Sequence, residues 1–239
     1  MTDDDEAAPE NPARTGAFYG RRKGKPLRKG HAHLVETLLP SLSLDLGQPA
    51  PADLRALFSV PVDDVWMESG FGGGEHLLNL AEANPGIGLI GAEPFVNGMA
   101  KLLAIIDARP DLARRIRLHA ADAVPLLDWL PEASLGRFYL LYPDPWPKTR
   151  HWKRRFVGED NLARLARVLR PEAEFRFASD WAPYVDWTLQ RVPEHTGFRW
   201  LAETSQDWKQ PWAGWPGTRY EAKALREGRV PAYLRFRRA

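Results

Sequence analysis

The chain has no cysteine at all. That excludes disulfides, a thiolate nucleophile, Cys-ligated zinc and an iron–sulfur cluster together. It also has no stretch near the ~20 apolar residues needed to span a bilayer. Its first ten residues are acidic and polar, without the apolar centre of a secretory signal, so a cytoplasmic location is expected. No G-K-[ST] triplet is present, which excludes a P-loop. The histidines His31, His33, His76, His119, His151 and His195 lack metal-ligand spacing, and no metal is expected.

What remains is a chain of 239 residues with 44% hydrophobic content, enough for one sizeable α/β domain with tails. One core claims most of the apolar surface, so a monomer is expected. The formal net charge of +2 conceals segregation: six cations lie in 21–29 and five in 148–155. Without those eleven, 22 basic residues face 31 acidic ones. Localised cation on an acidic body suits a specific polyanion contact.

Residues 1–30 carry acidic, Pro/Gly and basic runs without apolar periodicity and are expected to form a mobile arm ahead of a single domain, 31–239. Residues 31–60 predict short helices covering one edge of the core. Strands are predicted at 63–68, 87–92, 115–120, 137–142, 173–178, 197–202 and 231–237. Helices are predicted at 75–83, 95–107, 123–130, 155–169, 181–191 and 218–227. The alternation predicts a doubly wound, mostly parallel α/β sheet of seven strands.

The first predicted strand ends at Glu68 and runs into Gly70-Phe71-Gly72-Gly73-Gly74 ahead of a helix. Glycines there let the backbone approach a nucleotide closely. Glu93 ends the second strand, where a carboxylate can accept both hydroxyl protons of a ribose. The sixth position of the G-x-G-x-x-G pattern is Glu75, with Glu68 on the other side. Two carboxylates flanking the cradle disfavour a pyrophosphate by several kcal/mol if desolvated, on the order of the Coulomb figure at ~4 Å. They favour a cationic nucleoside such as S-adenosylmethionine. Asp122, after the third strand, is placed to take an adenine amino group.

The apolar run 138–142 leads into Pro143-Asp144-Pro145-Trp146-Pro147, where three prolines hold an acid and an indole just past a strand end. Lys148, Arg150, Lys153, Arg154 and Arg155 follow at once. An acid and a flat aromatic beside dense cation suggest a polyanion whose reacting part is a planar ring. The bland reading is a stiff loop ahead of a solvated basic helix start.

These stretches, with Ala178-Ser179-Asp180-Trp181, Thr218-Arg219-Tyr220-Glu221 and the basic 21–25 run, resemble the bacterial tRNA (guanine-N7)-methyltransferase family over about residues 20 to 237. The resemblance implies a Rossmann-like class I methyltransferase fold with its last strand antiparallel. It implies methyl transfer from S-adenosylmethionine to N7 of a guanosine in the tRNA variable loop. Cofactor residues would be Glu68, Gly70, Gly72, Glu93, Asp122 and Asp144, with Asp144 also catalytic. Lys148, Asp180, Thr218, Arg219, Tyr220 and Glu221 would meet the guanosine. Arg150, His151, Trp152, Lys153, Arg154 and Arg155, with Arg21, Arg22 and Lys23, would meet tRNA. Ser69, Gly73 and Tyr142 depart from the commoner family residues, and Gly73 would loosen the loop.

Guanine N7 is an unprotonated lone pair at neutral pH, so no general base is needed. Cytosine C5 methylation, which needs a cysteine, is excluded. Positioning and electrostatics remain. Asp144 and Asp180 both suit the charge that develops on the base, and their division of roles is open. Asp180 also reads as a helix N-cap, and Thr218 with Glu221 as a capping box. Methylation of an exocyclic base nitrogen, which a loosely similar Asp-Pro-Pro-aromatic motif serves, and an RNA-binding module with a decayed pocket are the alternatives.

Overall fold

The protein is described from a computed structural model covering Gly20 and residues 22–239. Seven strands form one sheet: β1 (Asp64–Ser69), β2 (Ile87–Ala92), β3 (Ile116–His119), β4 (Leu135–Leu141), β5 (Leu169–Ser179), β6 (Phe198–Trp200) and β7 (Ala232–Arg238). Their spatial order is β3-β2-β1-β4-β5-β7-β6. The first five pair in parallel, and β7 runs antiparallel to both β5 and β6. This is the doubly wound sheet that the alternation predicts.

Strand side chains alternate between faces, and each face has its own core. On one, Val65, Met67, Phe138, Leu140, Phe175 and Phe177 meet the helices Ala123–Trp129, Glu159–Val168 and Ala182–Arg191. On the other, Trp66, Leu89, Leu118 and Tyr139 meet the helices Glu75–Ala83 and Val96–Asp107, and further along Trp212 from the loop before the last helix. The helices Lys29–Thr37 and Leu39–Leu42 follow the docked basic segment, and Leu44 N donates to Leu118 O at 3.0 Å. That contact covers the free edge of β3, as an exposed strand edge requires. No helix among the described residues is long and apolar enough to cross a membrane.

Two boundaries differ from the sequence reading. The helix predicted over 155–169 begins only at Glu159, after Gly158 in an extended conformation, while Thr149–Arg154 forms a separate 3-10 turn. Arg155 is buried with extended backbone between them, and that burial overrides helix propensity. At the other end the chain passes from Val168 straight into β5.

Glu174 on β5 illustrates how the polar side of the sheet is held. Burial alone would raise its carboxyl, but hydrogen bonds and charge from Arg235 and Arg176 hold it at about 2. A depressed carboxylate stabilises the fold fully above its ordinary value of 4.5, and that contribution is lost as pH falls toward 2. Glu174→Gln is expected to lower stability at neutral pH by about 3 kcal/mol at most. It should also flatten the fall of Tm with acid in that window; calorimetry across pH checks both.

Candidate active site

The carboxyl ends of β1, β2 and β4 open into one cavity of about 510 Å³, where ligands sit in sheets of this topology. Gly72, Glu93, Asp122, Asp144 and Tyr220 all line it. Glu93 braces the glycine loop: its Oε2 accepts from Gly72 N at 2.6 Å and its Oε1 from Phe95 N at 2.8 Å. Burial pushes the Glu93 carboxyl up against those two hydrogen bonds, and the nearby charges of Glu68 and Asp144 add to the rise. Gly72 lies at φ +59, a left-handed conformation that favours glycine. Asp122 caps the helix Ala123–Trp129, its Oδ1 accepting from Val124 N at 2.8 Å.

The two acids that the sequence placed around the cradle sit elsewhere. Glu68 does not line the cavity; it is buried, with Oε2 2.8 Å from His76 Nδ1. Glu75 points outward and pairs with Arg219 at 2.6 Å. A Cβ on Gly73 would strike that Glu75 carboxylate at 2.6 Å, so glycine here leaves room for the pair. The acid that meets the loop amide is therefore Glu93.

Beyond β4 the backbone is strained. Tyr142 (φ 49) and Trp146 (φ 44) both adopt left-handed conformations that bulky residues rarely take. Each costs about 1–3 kcal/mol and persists only where the surroundings over-determine it, typically at functional sites. Between them, Asp144 makes no hydrogen bond or ion pair among the described residues. The residue is exposed to solvent, yet desolvation by the surrounding cavity wall pushes its carboxyl above the ordinary range. Tyr142 stacks on Tyr220 with ring centroids 6.4 Å apart.

The cation run divides. Lys148 and Arg150 are exposed, while Lys153 and Arg154 line the cavity rim. Arg154 lies over the Trp146 ring at 5.0 Å, and His151 meets that ring edge-on. Arg155 is the least exposed of the run, although it also lines the cavity, and Trp152 is only partly buried. Arg155 is 4% exposed, and Trp152 packs edge-on against Trp187. In the arm, Arg21 lies outside the described residues, but the segment after it is docked. Val96 N donates to Arg22 O, Gly24 N to Asn97 Oδ1, and Asn97 Nδ2 to Lys25 O. Residues 22–25 thus rest on the body with Lys23 exposed, and the first helix begins at Lys29.

Asp180 pairs with Arg229 and does not line the cavity. Thr218 and Glu221 form the complete capping box of the helix Arg219–Arg226. Glu221 is buried and also accepts from Trp215 Nε1 at 2.9 Å and from the Tyr233 hydroxyl. The box places Arg219 and the half-exposed Tyr220 over the Gly72 loop. Of this quartet only Tyr220 lines the cavity.

Sequence reading missed Asn97 and Gly98. A Cβ on Gly98 would lie 2.1 Å from the Gly72 carbonyl oxygen, so the helix Val96–Asp107 touches the loop through a bare backbone. A lone glycine within an apolar helical stretch is the signal that pointed there. Arg229 carried no such signal.

A family model described as "Putative methyltransferase" matches residues 63–233. A curated protein of Rhizobium meliloti (strain 1021), called tRNA (guanine-N(7)-)-methyltransferase, is 60% identical over 94% of this chain and 96% of its own. One of the same name from Chelativorans sp. (strain BNC1) is 57% identical over 93% and 95%. Among solved structures, the 16S rRNA methyltransferase KamB is similar in fold, with TM-score 0.51 and 20% identity over 77% of this chain and 90% of that one.

Proposed function

The chain belongs to the tRNA (guanine-N(7)-)-methyltransferase family, and we propose that it transfers a methyl group from S-adenosylmethionine to N7 of a guanosine in the variable loop of tRNA. One observation carries this reading: a single cavity joins the glycine loop with Glu93 and Asp122 to Asp144, which has no hydrogen bond or ion pair among the described residues, and Lys153 and Arg154 line it too. Three carboxylates suit a cationic nucleoside, and Glu93 already takes the Gly72 amide that a pyrophosphate would require. S-adenosylmethionine, when bound, supplies a methyl group carried on a sulfonium.

In this reading Glu93 accepts from the ribose hydroxyls, and the second oxygen of Asp122 accepts from the adenine amino group. Gly70 and Gly72 keep the loop close to the ligand, and Glu68 holds the following helix through His76. Asp144 stabilises the positive charge that the base acquires, acting as a fixed negative group on the cavity wall. Tyr220 covers the mouth, set there by Thr218 and Glu221. Asp180, fixed by Arg229, and Lys148 serve the guanosine from flanking loops. Lys153, Arg154, Arg150, Lys23 and Arg22 meet phosphates.

The test is incubation with unmodified tRNA and labelled S-adenosylmethionine, followed by digestion to nucleosides. Label in 7-methylguanosine is expected; label in a base methylated at an exocyclic nitrogen would move the target atom. Replacing Lys153 and Arg154 by alanine is expected to reduce the salt slope of tRNA binding by ~0.7–0.9 log units per lost phosphate contact. An unchanged slope would leave them as a solvated rim.

A further inference from the structure

Arg155 was expected to face tRNA, yet it is among the most enclosed charges of the chain. Its guanidinium lies within 5.0 Å of three aromatic ring centres, those of Trp152, Tyr184 and Trp187. Burial lowers its pKa, with nearby Arg191 adding to the fall, although guanidinium remains charged. Its Nε donates to the carbonyl of Pro145 at 2.9 Å and its Nη1 to the carbonyl of Pro183 at 3.2 Å. Pro145 follows Asp144 directly, between the two left-handed residues Tyr142 and Trp146. Pro183 opens the helix Ala182–Arg191, which follows Asp180. One planar fork therefore bridges the loop that carries Asp144 and the helix start that follows Asp180.

We infer that Arg155 is a positioning residue, which holds the strained 142–146 loop and the start of the helix Ala182–Arg191 in one register and so fixes Asp144 relative to Asp180, which precedes that helix start. Three features support this over a purely packing role. The acceptors are carbonyls of two separate segments, the 142–146 loop and the first turn of the helix Ala182–Arg191, 38 residues apart in sequence. A strained backbone persists only where it is over-determined. Lysine could supply the charge within the aromatic cage, but its three donors sit on one nitrogen and lack the fixed fork that reaches both carbonyls.

The activity arm of the test rests on the methyl-transfer reading; the structural arm does not. In Arg155→Lys, hydrogen exchange is expected to rise at least tenfold in peptides covering 142–148 and 179–184, with the sheet strands unchanged. Single-turnover methylation of tRNA should slow at least tenfold, while tRNA affinity and its salt slope stay within threefold. In Arg155→Ala, millimolar methylguanidinium should restore part of the rate.

Unchanged exchange in either segment overturns the proposal, whatever the wild-type protein methylates. A weaker and less salt-dependent tRNA affinity would return Arg155 to phosphate contact. If Arg155→Lys and Arg155→Gln are both unfolded by circular dichroism, the residue serves the domain as a whole and the proposal fails.

Discussion

Asp144→Asn is expected to lower the single-turnover rate of 7-methylguanosine formation by about 10²–10³-fold, the loss typical when one preorganised electrostatic group is removed. Affinity for tRNA should remain within a few-fold, because the carboxylate lies in the cavity rather than on the basic rim. Asparagine keeps the shape of the side chain, and Asp144 has no hydrogen bond to lose among the described residues. The loop should therefore survive the change. The pH dependence follows from desolvation by the cavity wall, which raises the Asp144 carboxyl. The ionised form is the active one, so the wild-type rate is full at alkaline pH. It falls as acid protonates the group, at a pH above the ordinary aspartate range. The variant should lack that limb. Near-normal turnover in Asp144→Asn would remove the residue from the chemistry.

Gly98→Ala should do comparable damage from outside the cavity. In an exposed helix interior, alanine gains about 0.8–1.0 kcal/mol over glycine. Here the added methyl would meet the Gly72 carbonyl oxygen at 2.1 Å, and that atom is backbone. Either the loop or the helix Val96–Asp107 must move. Overpacking strain of about 1–3 kcal/mol converts to a loss of about 5- to 150-fold in S-adenosylmethionine affinity. Calorimetric titration would measure it, with Tm within a few degrees of the wild type. Unchanged affinity would mean that the loop has slack which the structure does not display.

These two positions differ in how far the sequence announced them. Asp144 stood out because prolines, a tryptophan and a cation run surround it just past an apolar strand. Gly98 could be suspected only as an odd residue in a helix, since the contact it permits joins distant segments. The succession of strands and helices was legible for the same local reason as Asp144: regular alternation of apolar runs and amphipathic stretches. The fate of Arg155 was not, because a cation in a basic run looks the same whether it faces water or three aromatic rings. Glu68 and Glu75 were placed correctly along the chain, but their partners, His76 and Arg219, depend on tertiary packing. Thr218 and Glu221 formed the cap that their spacing suggests, and the cap aims Tyr220.

The position of β7 has a consequence for how the molecule is made. This strand is the last described element of the chain, yet it lies inside the sheet between β5 and β6. During synthesis, β5 must therefore wait with an open edge while everything from Asp180 to Pro231 emerges. An open edge of that kind is an aggregation hazard. Tyr233, which donates to Glu221, sits on β7 itself, and Arg229, which holds Asp180, lies just before it. The half-sheet built around the glycine loop can form on the ribosome before β7 is made, whereas the half that carries Asp180 and Glu221 is completed only once β7 has emerged.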